Sequence, residues 1–376
     1  MQRAKIVTIV GTRPEGIKMA PVVRALDRRR EVFDHTFVST AQHRELLDNV
    51  LRTLDVAPGI DLQLMQPGQG LGQFASRALA ALSELFARLT PRAVLVQGDT
   101  TTVMIAGLAA FYQGIKVGHV EAGLRSFDRQ NPFPEEINRR ITGVVADWHF
   151  APTDRAAKNL IAEGVPQDNV FVTGNTIVDA LRSIRLDDAF ENQQLDIVDF
   201  DRRRVLLVTA HRRENHGPPL ASICGALKTL AARYEDVEVV YPVHLNPNVR
   251  GVVYDLLGNS PRVRLVDPLS YGDLLRVMKR SYLILTDSGG IQEEAPSFGK
   301  PVLVLREVTE RPEAVESGAA KIVGTDSQRI ICEATRLLDN PVDHERMQAA
   351  KNPFGDGHAA ERIVDILQNR LAARGE

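Results

Sequence analysis

Cysteine is almost absent from this chain. Its 376 residues hold two, Cys224 and Cys332, far apart, which excludes a disulfide framework and a cysteine-rich zinc site. An excess of charge of either sign is also missing: the formal net charge is −2, so there is no global attraction for nucleic acid or anionic lipid, and any anion site must be local. No apolar run approaches the roughly 18 residues that span a bilayer. The apolar stretch Ile6–Val10 is too short for a signal-peptide core, and Arg13 follows it at once. Repeats and low-complexity segments are lacking too. The spacing of histidines and acids matches no zinc pattern and nothing resembles HExxH, so no metal is expected. A cytoplasmic enzyme or binding protein, without nucleic-acid or membrane partners, is the expectation.

What is present is an ordinary globular balance, 44% apolar and 25% charged, in a chain long enough for two domains. Short β-branched runs (Lys5–Val10, Phe33–Thr40, Ala93–Gln97, Val117–Glu121, Trp148–Ala151, Val170–Val172) alternate with stretches of helical spacing (Ile17–Arg29, His43–Leu54, Leu71–Leu89, Thr102–Tyr112, Glu135–Val145, Asp154–Glu163). That rhythm predicts a parallel sheet covered on both faces. It breaks in the polar stretch Arg185–Arg204 and restarts with Val205–Thr209, Val237–Pro242, Val263–Val266, Leu283–Thr286 and Val302–Leu305 as strands. The fold class is therefore α/β, two Rossmann-like doubly wound domains facing a cleft, with ligand at the carboxyl ends of the strands. The expected boundaries are a first domain over 1–172, a connector over 173–204 and a second domain over 205–358. The last helix, about 359–373, is a candidate to pack back on the first domain.

The first strand runs into Gly11-Thr12-Arg13-Pro14-Glu15-Gly16-Ile17-Lys18, where a dinucleotide-binding turn would read GxGxxG; it does not. Gly11 permits a tight turn and Pro14 suits a first helical turn. Arg13 and Lys18 flank a helix N-terminus, where amides, dipole and cations together favour a phosphate; as solvated surface charges they would do nothing. Thr286-Asp287-Ser288-Gly289-Gly290-Ile291-Gln292-Glu293-Glu294 follows a strand of the second half. Ser288 is a good N-cap, the paired glycines lack the Cβ atoms that would keep a diphosphate from backbone N–H groups, and Glu294 could hold two ribose hydroxyls. A capped helix with a glycine turn explains Ser288 and one glycine, but not both glycines and the acid. Arg311 is a further candidate phosphate contact.

Candidate acids and bases stand at other strand ends. Asp99 lies in Gly98-Asp99-Thr100, Glu121 in His119-Val120-Glu121-Ala122-Gly123, and Glu135 and Glu136 open a helix, where an acid usually complements the dipole. Taken alone, Glu136 is structural on that ground. His211 precedes Arg212 and Arg213 after a strand, and His244 follows the next one, whereas His35, His149 and His344 carry no such signal.

Taken in order, GTRPEGIK, TAQHRELLD, MQPGQGL, GDTTT, GHVEAGLR, PEEINR, TGNTIVDAL, HRREN, YPVHLNPNV, LTDSGGIQEEAPSFGKPVL and TERPEA resemble the non-hydrolysing UDP-N-acetylglucosamine 2-epimerases over nearly the whole chain. The resemblance implies the GT-B architecture, a homodimer and catalysis with no nicotinamide or other cofactor, in keeping with the missing GxGxxG. It implies that Arg13, Lys18, Ser288, Gly289, Gly290, Glu294 and Arg311 bind the nucleotide. Asp99, Glu121, Glu135 and His211 match the residues assigned to catalysis. Gln42, Gln69, Glu136, Arg212 and His244 match a subsite where a second UDP-N-acetylglucosamine activates. Ala210 stands where glycine is common and Gln97 where some members have histidine. Leu269 and Leu274 replace Gln and Phe near the uracil, so base contacts there are expected to be mostly backbone. The implied reaction inverts C2 by eliminating UDP to a 2-acetamidoglucal and adding it back, supplying a bacterial surface-polysaccharide precursor. The rivals are a hydrolysing epimerase releasing N-acetylmannosamine, the same chemistry on a related UDP-acetamido sugar, a GT-B glycosyltransferase and a non-catalytic sugar-nucleotide sensor.

Overall fold

The computed structural model describes residues 3–40, 44–66, 68–130, 132–184, 186–187 and 189–372. By contacts the chain divides into two units, Met1–Ile184 with Phe354–Glu376, and Arg185–Pro353. Each is an α/β unit built on one parallel sheet.

The first unit holds β1 (Ala4–Val10), β2 (Phe33–Ser39), β3 (Ile60–Asp61), β4 (Ala93–Gln97), β5 (Lys116–Val120), β6 (Trp148–Ala151) and β7 (Val170–Val172), in the order β3-β2-β1-β4-β5-β6-β7. Alternate residues of its central strands enter different cores. Ile6, Val10 and Leu95 pack with Met19, Leu26 and Leu367, while Val7, Ile9, Val94 and Val96 pack with Leu82 and Ala106. Both faces are buried, so these strands read as continuous aliphatic runs rather than alternating ones. The two-residue β3 leaves no periodic signal because it spans only a single strand repeat.

The helix Ala359–Ala372 belongs to this unit. Ile363, Val364 and Leu367 join the core around Met19 and Val22. Arg29 reaches Glu361 at 2.9 Å and Asp365 at 2.6 Å. Its first amides are taken by a residue far away in sequence: the Asp179 carboxylate accepts from Ala359 N at 3.2 Å and Ala360 N at 2.8 Å, which satisfies two donors that a helix start leaves open.

The second unit holds β8 (Arg204–Thr209), β9 (Val237–Pro242), β10 (Val263–Val266), β11 (Leu283–Thr286), β12 (Val302–Val304) and β13 (Ala320–Ile322), in the order β10-β9-β8-β11-β12-β13. The last of these, Ala320-Lys321-Ile322, carries too little aliphatic pattern to be read from sequence. The polar stretch before β8 packs against this unit, with Glu191 N and Asn192 N donating to the buried Asp273 carboxylate at 3.0 and 2.9 Å. Among the described residues no helix is long and apolar enough to cross a membrane.

Strand order fixes where a ligand can enter each sheet. In the first, the chain winds outward in one direction through β1, β2 and β3 and in the other through β4 to β7; in the second, the reversal lies between β8 and β11. The connections on either side of such a point leave opposite faces of the sheet, which opens a crevice beyond the strands' carboxyl ends.

Candidate functional site

Both clusters of candidate residues flank these reversal points. In the first unit Arg13 and Lys18 follow β1, Asp99 follows β4 and Glu121 follows β5. Because Gln97 pairs in register with Val120, the two acids follow neighbouring strands within one residue of the same level.

Glu121 does not continue β5. Its φ is +63°, a left-handed conformation that costs a non-glycine residue on the order of 1–3 kcal/mol and is kept where surroundings enforce it. Three donors do so. Lys18 Nζ and Asn175 Nδ2 (2.9 Å) donate to Oε2, and Gln97 Nε2 donates to Oε1 at 3.2 Å. The Lys18 and Glu121 side chains are only 10% and 8% exposed, so removing either partner would strand a charge in a poorly solvated place. Gln97 and Asn175 were not singled out as contacts of Glu121 in the sequence; polar residues just inside or well beyond a strand end carry no local mark of what they reach.

Asp99 is tied differently. Arg139 donates to its carboxylate and Asn138 Nδ2 to its backbone oxygen at 2.9 Å. Arg139 also reaches Glu136 Oε2 at 3.2 Å, which accepts from Ser126 N at 3.0 Å. Glu136 is fully buried, whereas Glu135, the first residue of the helix Glu135–Val145, is partly exposed. His119 Nε2 sits 2.8 Å from Gly98 O, and burial pushes its imidazole down to about 3. Neutral at physiological pH, it supports the backbone one residue before Asp99 without adding charge.

Behind the first turn lies Glu15, 1% exposed. It accepts from Gly11 N at 2.6 Å and Thr12 Oγ1 at 2.9 Å, a variant of the capping box in which the N3 acid reaches back past the N-cap residue. Burial pushes its carboxyl up to about 7, against the lowering effect of hydrogen bonds from Thr100, Gly11 and Thr12. Gly11 has a reason of its own that the sequence does not carry. Its backbone is not left-handed, and it is glycine for space, since a Cβ would lie 2.4 Å from Thr102 Oγ1 and 2.5 Å from Thr40 Oγ1. Gln69 lies in the loop before the helix Leu71–Leu89, its Nε2 donating to Met65 Sδ at 2.7 Å. Gln42 lies outside the described residues.

In the second unit His211 and Arg212 follow β8, His244 follows β9 and Ser288 follows β11. The His211 and His244 rings stack, centroids 5.3 Å apart and planes 10° apart. Ser288 occupies the N-cap position of the helix Gly289–Glu294, but its side chain makes no cap hydrogen bond. Thr286 Oγ1 instead accepts from Ser288 N at 2.9 Å, and Gln292 Nε2 donates to Ser288 O at 3.2 Å. Neither Gly289 nor Gly290 is left-handed. A Cβ on Gly289 would come no closer than 3.7 Å, to Arg212, and one on Gly290 no closer than 3.9 Å, to Ser288 Oγ. Backbone conformation and packing therefore leave both glycines unexplained; close approach of a ligand to the backbone would explain them. Glu294, 7% exposed, accepts from Tyr271 OH at 3.2 Å. Arg311 donates to Glu293 and is tied through its backbone N to Thr309 Oγ1 at 3.0 Å. Leu269 and Leu274 are both partly exposed.

The residue that organises this cluster is Asp287, which stands between Thr286 and Ser288 and was not among the candidates above. The same signal used for Asp99, an acid directly after a strand, would have found it. Among the described residues no group of three His, Cys, Asp or Glu side chains is placed to hold a metal ion.

Comparison with known proteins gives these clusters a context. The family model described as UDP-N-acetylglucosamine 2-epimerase matches residues 24–368. The UDP-N-acetylglucosamine 2-epimerase of Bacillus subtilis is 50% identical over 376 residues, covering 100% of this chain and 98% of that protein. The enzyme of the same name from Escherichia coli K12 is 49% identical over 373 residues, covering 97% and 98%. A crystal structure of UDP-GlcNAc 2-epimerase from Neisseria meningitidis bound to UDP-GlcNAc superposes with a TM-score of 0.88 at 45% identity, covering 97% of this chain and 100% of that one. With a family model spanning most of its length and relatives of about half-identical sequence, this chain belongs to the UDP-N-acetylglucosamine 2-epimerase family.

Proposed function

We propose that this chain interconverts UDP-N-acetylglucosamine and UDP-N-acetylmannosamine without net hydrolysis. The observation that carries the proposal is the pair of carboxylates Asp99 and Glu121 at the ends of neighbouring strands, each matched with a cation, Arg139 and Lys18. The hydrogen at C2 of the sugar is not adjacent to a carbonyl and is barely acidic. Inversion by proton transfer therefore needs the C1–oxygen bond to break as a carboxylate takes the C2 proton, the electron pair of the C–H bond forming the glycal double bond. UDP then re-forms the bond at C1 while an acid delivers a proton to the other face of C2. At least two titratable groups are required, one for each face, and Asp99, Glu121 and Glu135 are the candidates.

Arg13, Lys18, Arg311 and the amides of Ser288–Gly290 would meet the charge that builds on the departing diphosphate, with Glu294 toward the ribose. His211 would hold or protonate the leaving phosphate. Keeping UDP and glycal together makes re-addition an intramolecular step. Activation by a second UDP-N-acetylglucosamine at Gln42, Gln69, Glu136, Arg212 and His244, a homodimer, a cytoplasmic location and a role in surface-polysaccharide supply belong to the same proposal. They rest on the family resemblance.

Incubation with UDP-N-acetylglucosamine in D₂O, followed by NMR, tests it. Both UDP sugars should form and carry deuterium at C2. Accumulation of UDP with free N-acetylmannosamine would mean hydrolysis instead, and turnover that leaves the C2 hydrogen unexchanged would overturn the mechanism.

A further inference from the structure

Asp287 follows β11 and is fully buried. Three donors from the loop after β8 converge on its Oδ2: His211 N and Arg212 N, both at 2.8 Å, and Asn215 Nδ2 at 3.0 Å. Asn215 is itself anchored by donating to Leu305 O at 3.1 Å. Tyr241 OH, buried below, donates to Ala210 O at 2.6 Å, fixing the residue before His211. One carboxylate oxygen thus sets the path of the chain that carries the histidine.

The other oxygen, Oδ1, is buried and has no hydrogen-bond partner among the described residues. Leaving such an acceptor unmet is costly, on the order of 1–3 kcal/mol and more for a charged group. The nearby basic atom is His211 Nδ1, 3.7 Å away on a side chain that is 41% exposed. A shift of the ring by about 1 Å would bring the pair to hydrogen-bonding distance, and half-exposure leaves the ring room to make it. With Nδ1 bonded to the carboxylate, imidazole geometry would turn the ring's other nitrogen, Nε2, away from it. Ionisable groups around this ring include His244, stacked on it, the neighbouring Arg212, which pairs with Glu310 at 3.7 Å, and His216, whose Nε2 lies 3.2 Å from His211 O.

We propose that Asp287 is a positioning residue for His211: its free oxygen selects the tautomer with hydrogen on Nδ1 and supports the imidazolium, so that Nε2 is presented to the phosphate oxygen of the leaving nucleotide. The inference rests on the epimerase proposal for what Nε2 meets, but not for the carboxylate–imidazole pair. An acid that orients one imidazole nitrogen fixes which nitrogen exchanges a proton at the other side. By placing the same carboxylate under the amides of His211 and Arg212, the fold gives the loop and the ring a single anchor.

The pair can be examined without substrate. In ¹⁵N-histidine-labelled protein, with the His211 signals assigned by their loss in His211→Asn, the neutral ring should carry its hydrogen on Nδ1. Asp287→Asn should redistribute the hydrogen toward Nε2 and lower the pH at which the ring protonates by about 1 unit, the scale of one neighbouring charge. A wild-type ring with hydrogen on Nε2 overturns the proposal even if the variant does not fold. With UDP-N-acetylglucosamine, Asp287→Asn should lower kcat by on the order of 10- to 100-fold, the scale of lost orienting partners, with KM changed far less. The double variant Asp287→Asn/His211→Asn should be no slower than His211→Asn alone, whereas multiplied losses would mean that Asp287 acts independently of the ring. Should no epimerisation occur at all, the spectra still decide the pair, and only the assignment of its target falls.

Discussion

The strand ends of the two units solve different problems with different chemistry. In the first, buried or partly buried charged side chains are matched: Glu121 with Lys18, the partly exposed Asp99 with Arg139, and Glu136 with Arg139. In the second, the turn at Ser288–Gly290 offers backbone, and the buried acid just before it, Asp287, is occupied by loop amides while His211 stays half-exposed. Paired carboxylates suit proton transfer, because their charge is held in a fixed place by neighbours. A bare glycine turn suits an anion that arrives with its own charge. Glycine itself illustrates the contrast. Gly123 in the first unit has φ +90° and its Cβ would lie 2.2 Å from Ala156 O, whereas around Gly290 a Cβ has room.

That contrast can be broken at four points. The largest effect should come from Glu121→Gln, which keeps the side chain's size but removes the charge that Lys18 neutralises. kcat should fall by at least about 10²-fold, the scale of losing one preorganised electrostatic group, and near-wild-type turnover would remove Glu121 from the chemistry. Next, Gly123→Ala should destabilise the fold by about 3 kcal/mol, since a backbone carbonyl must move and the left-handed conformation is strained for alanine. A denaturation midpoint close to wild type would show that the turn relaxes freely.

Glu15 gives the pH-dependent case. Its folded value of about 7 lies above the ordinary 4.5, so the native state holds this proton more tightly than the unfolded chain. Its stabilising contribution is complete below pH 4.5 and is lost as pH rises toward 7. Relative to Glu15→Gln, which cannot ionise, the wild type should lose about 2 to 3 kcal/mol of stability between pH 5 and 8. Parallel urea titrations at both pH values measure it, and a difference that does not change with pH would place the carboxyl in a more polar setting than its burial indicates. Smallest in stability is Gly290→Ala. Unfolding free energy should stay within about 1 kcal/mol, the helix-propensity difference between the two residues, while KM for UDP-N-acetylglucosamine rises several-fold. Unchanged KM would detach the turn from the nucleotide.

Much of this arrangement is legible in the sequence. The aliphatic runs that became β1, β4, β8 and β11 are continuous because both faces of each sheet are covered, and an acid or glycine directly after such a run stands at a crevice wherever the sheet reverses. Asp99, Glu121, His211 and Ser288 could therefore be placed at strand ends from the chain alone. Asp287 could have been reached by the same step. What the chain alone does not convey is all that a residue is there for: Gly11 also leaves space between two threonines, and Ser288 sits at the cap position without a side-chain cap bond. Both depend on atoms contributed by other segments.

Sequence by itself determined the family, the α/β class and the strand ends that carry polar chemistry, because periodicity and motif are local properties of the chain. Tertiary structure alone decided which of those ends stand side by side, that Asn175 and Gln97 hold Glu121, that Asp179 caps a helix 180 residues onward, and that Asp287 faces His211. Those pairings arise from strand order and register, which sum weak preferences over the whole sheet and leave no mark on any one segment.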